Sequence, residues 1–128
     1  MPSLQELLVA SSRTFAVGIR ILPEPLSTEV TVAYLLLRVS DYLEDNRELR
    51  TNEKVALLQN WRRVLAGDGE RRALVERLRE ARDDTPDALV ARQSATVLAG
   101  LDGLAAPAKE ILIRRVGESS AGMARWTE

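Results

Sequence analysis

The stretch from Ser27 to Asn46, STEVTVAYLLLRVSDYLEDN, constrains the fold more than any other part of the chain. Its apolar residues do not alternate as a half-buried strand requires. They are also too many for the single apolar stripe of an ordinary surface helix. At roughly 100° per residue, Tyr34, Arg38, Asp41 and Asp45 fall within about 60° of one another. They form a narrow polar stripe on an otherwise apolar helix. Leu37 flanks one side, Leu35 and Tyr42 the other, and Leu36, Val39 and Leu43 form the back. Glu44 sits about 80° from the stripe, within reach by its longer side chain. A helix that is apolar nearly all round is a buried helix, and buried carboxylates must be paired, hydrogen-bonded or on a metal. The stripe is therefore expected to line an internal cavity.

The rest of the chain carries the same helical signature, rich in Leu, Ala, Arg and Glu, with no strand-like alternation. Punctuation predicts helices over Ser3–Ala10, Ser12–Leu22, Ser27–Asp45 and from Asn52 to the glycines Gly67 and Gly69. Three more follow: Glu70–Arg82, Pro86 to Gly100 or Gly103, and Ala106 to the chain end. Pro23 and Pro25 stop the second, and Ser27 is the expected N-cap of the third, with Glu29 in its first turn. The connections are short and favour antiparallel neighbours, so the expectation is an all-α antiparallel helical bundle forming one domain over residues 1–128. The basic run Arg71, Arg72, Arg77, Arg79 and Arg82 is interleaved with Glu and lacks aromatic company, so it reads as a solvated helix face.

Composition removes whole classes of chemistry. The chain has no Cys and no His, which excludes disulfides, thiolate zinc sites and imidazole acid–base catalysis. A net charge of −1 offers no field to attract nucleic acid, and no nucleic-acid partner is expected. No segment approaches the ~20 apolar residues of a transmembrane span, and the N-terminus lacks a secretory pattern. A cytoplasmic, soluble protein is the default, with peripheral membrane contact left open.

Two readings of Asp41, Glu44 and Asp45 stand on geometry alone. They could be a solvated helix end, with Arg38 paired to Asp41 one turn away. Against this, acids near a helix C-terminus oppose the dipole, which favours cations there. A bound divalent cation would resolve the conflict. Mg²⁺ keeps several waters and is usually shared with a substrate phosphate, so the ligand implied is a phosphate or diphosphate with an apolar tail.

SRTFAVGIRILPEPL followed by AYLLLRVSDYLEDN resembles the N-terminal part of the squalene/phytoene synthase family. The family pattern has a Ser-Arg-Ser-Phe-like segment and a proline break. A helix reading Tyr-x-x-x-Arg-x-x-Asp-x-x-Glu-Asp follows. Ser12, Arg13, Thr14 and Phe15 match the first segment, with Thr14 conserving the hydroxyl, and Tyr34, Arg38, Asp41, Glu44 and Asp45 match the second. RRVGESSAGMARW also looks like the family's small-residue helix under the substrate tail. The resemblance implies an isoprenoid-synthase-type fold. It also implies a Mg²⁺-dependent transferase that joins two prenyl diphosphates, farnesyl or geranylgeranyl, head to head with release of diphosphate. Asp41, Glu44 and Asp45 would then be Mg²⁺-associated carboxylates. Arg13 and Arg38 would contact diphosphate, with Ser12 and the Thr14 hydroxyl beside them, and Tyr34 would position substrate or orient a base. Phe15 would line the tail pocket, although a plain core role is favoured for it.

The family sets a second acidic cluster against the first, beyond a Tyr-x-x-x-Val-Ala-Gly-like stretch that this sequence does not contain. DDTPD, from Asp83 to Asp87, imitates such a cluster. Pro86 argues against it: Asp84 or Thr85 reads as an N-cap, Pro86 as the first helical position and Asp87 as a first-turn acid. Three functions are therefore expected in order. The first is the N-terminal part of a prenyl synthase. The second is a truncated non-catalytic relative that binds or regulates a full-length synthase. The third is a plain helical interaction domain. With one cluster only, the apolar faces of the third and seventh helices are expected to be partly uncovered, so the chain should bind another copy or a missing C-terminal half, or be marginally stable.

Overall fold

Local signals start and stop most of the helices. In a computed structural model, residues 3–45, 49–67, 69–82 and 84–127 are described, and the side chains of Arg13, Phe15 and residues 121–127 lie outside that description, as do Asn46 and Asp83. Among the described residues there are eight α-helices and no strand, so the chain is all-α. Helix α1 (Leu4–Ser11) opens on a capping box: the Glu6 N–H donates to Ser3 Oγ at 3.1 Å and the Ser3 N–H to Glu6 Oε1 at 3.3 Å. Ser12, extended at φ −164° and ψ 106°, breaks the chain between α1 and α2 (Arg13–Arg20).

The start of α3 (Leu26–Asp45) differs from expectation. Ser27 is not its cap, because the Ser27 hydroxyl donates to the Ile19 carbonyl at 3.0 Å and ties α3 back to α2. The carboxylate of Glu24 caps instead, accepting the Thr28 N–H at 2.9 Å across a cis Glu24–Pro25 peptide. Helix α4 (Thr51–Leu65) ends as its glycines predicted, with Gly67 at φ +89°, a conformation in which a Cβ is disfavoured.

Helix α5 (Arg71–Arg79) leads to a second correction. The helix expected from Pro86 to Gly100 or Gly103 is two, α6 (Pro86–Arg92) and α7 (Ser94–Asp102), separated by Gln93 at φ −106° and ψ 27°. Neither Pro nor Gly marks this break. Packing makes it, since Ala88, Val90 and Ala91 before it and Val97, Leu98 and Leu101 after it are all buried. Helix α8 (Ala106–Thr127) completes the fold.

Helix α3 is the axis, packed against α1, α2, α4, α6, α7 and α8. Its Val32, Leu35, Leu36, Val39 and Leu43 are 0 % exposed, each such side chain contributing roughly 1.5–3 kcal/mol of apolar burial. The buried helix predicted from its all-round apolar pattern is therefore the observed one. Against its back lies a buried polar junction. Trp61 of α4 donates its indole N–H to Ser40 Oγ at 2.9 Å, and Ser40 Oγ lies 3.1 Å from Ser120 Oγ of α8. A smaller cluster of Leu8, Ala16 and Ile19 joins α1 to α2, and Tyr34 of α3 packs against it.

Candidate functional site

Helical periodicity places Tyr34, Arg38 and Asp41 on successive turns of α3, and side-chain chemistry links the first two. The Arg38 Nε–H donates to the Tyr34 hydroxyl at 2.7 Å, and the guanidinium carbon lies 5.1 Å from the Tyr34 ring centroid. The other end of the guanidinium reaches a different helix. Arg38 Nη1 donates to Asp87 Oδ1 at 2.8 Å, a charge-assisted distance. Arg38 is thus paired with Asp87 of α6, not with Asp41 on its own helix. Burial works against the Arg38 charge, but the bonds to Tyr34 and Asp87 outweigh it and push its pKa further up.

Asp41 stands in the opposite situation. Burial raises its pKa above the ordinary carboxylate value, the charges of Asp87, Asp45 and Glu44 add to the rise, and Arg38 only partly opposes them. The stripe is half-open rather than enclosed. The Arg38 and Asp87 side chains are 30 % and 20 % exposed, Asp45 is exposed, and neighbouring Leu37 is 39 % exposed. Helix α6 meets the stripe through Asp87, and the stripe stays partly open to solvent, so it does not line the enclosed cavity expected.

The first motif lies next to the second. Ser12 is the joint between α1 and α2, and its N–H donates to the Leu8 carbonyl. Thr14 is exposed on α2. The side chains of Arg13 and Phe15 lie outside the described residues, but their helix is tied to the stripe where Tyr34 meets Ala16 and Ile19.

Asp87 is the residue that sequence reasoning set aside. Its local reading holds: Thr85 Oγ1 accepts the Ala88 N–H at 3.1 Å, Pro86 opens α6, and Asp87 sits in the first turn. What that reading missed is that this first turn faces α3, with Asp87 and Arg38 separated by 49 residues. The Asp-Asp-x-x-Asp pattern marks Asp87 but not its partner, because the contact with Arg38 depends on how α6 packs on α3.

The donor set suits a hard cation: it offers only carboxylate oxygens, and the negative surroundings of Asp41 are only partly offset by Arg38. It is not a preformed cage, since among the described residues no group of three or more acidic side chains converges closely enough to hold a metal ion. An ion bound there would need further ligands from a phosphate and water, the usual habit of Mg²⁺.

The family model for squalene/phytoene synthase matches residues 8–125, which takes in both motifs and α3 through most of α8. The chain belongs to the squalene/phytoene synthase family. It is also similar to the squalene synthase of Gibberella zeae, with 29 % identity over 130 aligned positions covering 99 % of this chain. The chain spans about a quarter of that relative, 26 % of its length. Within the squalene/phytoene synthase family, then, this chain corresponds to a part that includes the Tyr34–Asp45 stripe. No helix among its described residues is long and apolar enough to cross a membrane.

Proposed function

We propose that this chain carries one half of a divalent-cation-dependent diphosphate site, and that it serves a transferase joining two prenyl diphosphates head to head with loss of diphosphate. The observation that carries this reading is the state of Arg38. It is clamped at Nε by Tyr34 and held at Nη1 by Asp87, one turn from Asp41, whose negative surroundings it only partly offsets. A fixed guanidinium fork suits a phosphate oxygen, and the carboxylates suit the cation that accompanies it.

In this reading Asp41 and Asp45, with Glu44 beside them, hold Mg²⁺, which when bound would neutralise the departing diphosphate. Arg38 and Arg13 orient the diphosphate, aided by Ser12 and Thr14. Tyr34 keeps Arg38 in register with Asp41. The apolar edge of α3 at Leu37 is assigned to the prenyl tail. The reaction breaks the bond between the allylic carbon and the diphosphate oxygen, whose electron pair leaves with the diphosphate. The double bond of the second chain then attacks the allylic carbon, and the cation this leaves on the second chain is discharged by loss of a proton to the released diphosphate. Exclusion of water is essential, because an allylic cation is trapped by it.

Farnesyl diphosphate with Mg²⁺ should raise the melting temperature of the chain, and chelation of Mg²⁺ should abolish the rise. Asp41→Ala should abolish it too, and an undiminished shift in that variant rejects the site.

A second reading has its own support. Val17 on α2 and Ile21 just past its end are 69 % and 80 % exposed, an apolar edge suited to a protein partner. A non-catalytic relative docking on a full-length synthase, or on a second copy, would use such an edge. A chain that stays monomeric by light scattering and fails to bind a full-length synthase rejects it.

A further inference from the structure

We propose that Asp87 is an internal competitor for the anion-binding edge of Arg38, and that it makes phosphate binding at this site conditional on a divalent cation. The inference rests on Arg38 as the phosphate ligand of the proposed site. Three observations carry it.

The first is geometric. Asp87 Oδ1 sits 2.8 Å from Arg38 Nη1, where an anionic ligand oxygen would otherwise lie, and a carboxylate on a guanidinium is the nearest protein equivalent of a phosphate on one. Arg38 cannot swing aside freely, because its Nε is held by the Tyr34 hydroxyl at 2.7 Å. Exchange therefore happens at the Nη end.

The second is accessibility. With the Arg38 and Asp87 side chains 30 % and 20 % exposed, the pair is shielded enough for charge to count, yet open enough for a solvent-borne oxygen to replace the carboxylate. A fully buried pair could not exchange in this way.

The third is the charge balance. Asp41, Glu44 and Asp45 lie within two turns of Arg38 on α3, and Asp87 faces it from α6. Four carboxylates thus stand on the helix stretches next to this one guanidinium. A bare condensed phosphate entering here meets net repulsion, and Asp87 contributes by both neutralising Arg38 and adding to the field. A divalent cation reverses that balance.

The test uses the full chain and inorganic pyrophosphate, titrated calorimetrically in excess EDTA and again in excess Mg²⁺. Asp87→Asn keeps the shape and an oxygen acceptor for Arg38 while removing the charge. It should bind pyrophosphate in EDTA at least about fivefold more tightly than the unmodified chain, and the difference should shrink in Mg²⁺. Asp87→Ser serves as a second variant if the first melts early, with the same expectation. Unchanged or weaker binding in EDTA overturns the inference. So does a loss of Mg²⁺-dependent binding in Asp87→Asn, which would make Asp87 a cation ligand instead. Arg38→Gln separates the two levels of the argument. If the unmodified chain binds Mg²⁺–pyrophosphate and Arg38→Gln does not, the Arg38 reading stands and only the role of Asp87 is at stake. If Arg38→Gln binds as well as the unmodified chain, both fall.

Discussion

The indole N–H of Trp61 donates to the hydroxyl of Ser40 at 2.9 Å, inside a core where both residues are 0 % exposed. Ser40 Oγ also lies 3.1 Å from Ser120 Oγ, so one hydroxyl pins α4 and α8 to α3 immediately before Asp41. A polar junction at this depth is costly to break, because a partner left behind keeps its desolvation penalty.

Ser40→Ala should therefore destabilise the chain by about 1–3 kcal/mol, since it strands the Trp61 N–H and the Ser120 hydroxyl together. Trp61→Phe removes the donor itself and leaves a smaller ring in a fully buried site. It should cost about 1–3 kcal/mol through lost packing. Chemical denaturation of both variants measures this, and two unchanged midpoints would show that the junction contributes nothing.

The stability of the chain should depend on Asp41 in a direction opposite to that of a salt-bridged acid. Its folded pKa is raised, by burial first and by neighbouring carboxylates next. Between the unfolded pKa and the raised folded one, the folded state binds more protons, so stability falls as pH rises through that window. The cost is fully present above the window and absent below the unfolded value. Asp41→Asn should consequently melt higher than the unmodified chain at neutral pH without divalent cations, with the two curves merging at acid pH. Added Mg²⁺ with pyrophosphate should stabilise the unmodified chain and not the variant. Melting curves across pH decide it, and a variant that is less stable at neutral pH contradicts the account.

Arg38→Lys keeps the charge and loses the planar fork. A lysine cannot span the Tyr34 hydroxyl and Asp87 as the guanidinium does, with bonds of 2.7 and 2.8 Å at separate nitrogens. Pyrophosphate binding in Mg²⁺ should weaken by about tenfold or more, and stability by about 1 kcal/mol. Binding retained by the lysine variant would mean that charge alone, and not geometry, is used at this position.

Gly69→Ala should disturb the turn between α4 and α5. A Cβ at Gly69 would lie 2.7 Å from the backbone nitrogen of Val64, which cannot move away as a side-chain end can. A loss of about 1–3 kcal/mol is expected. Gly67→Ala, at φ +89°, should cost about 1 kcal/mol for the conformation alone, since open space surrounds its missing Cβ. Thermal melts of the two variants should rank them in that order.

The features legible in the sequence are those whose causes lie within a few residues of one another. Ser3 and Glu6 box the start of α1, Thr85 and Pro86 open α6, and Gly67 closes α4. The same holds for the stripe of Tyr34, Arg38 and Asp41, because helical periodicity alone stacks residues three and four apart. Hydrogen bonds and steric limits inside one turn depend on nothing beyond that turn. Tertiary packing decided the rest. Ser27 gave up its capping role because α2 brought the Ile19 carbonyl to it, and α6 and α7 parted at Gln93 with no local breaker. Arg38 took Asp87 in place of nearby Asp41 because α6 packs its first turn against α3. Ser40 met Ser120 across 80 residues of chain for the same kind of reason. A helix face determines which side chains it presents, but only the packing of whole helices selects what stands opposite them. The charge of Asp87 therefore belongs to this site through the tertiary structure, and no local pattern in the sequence assigns it there.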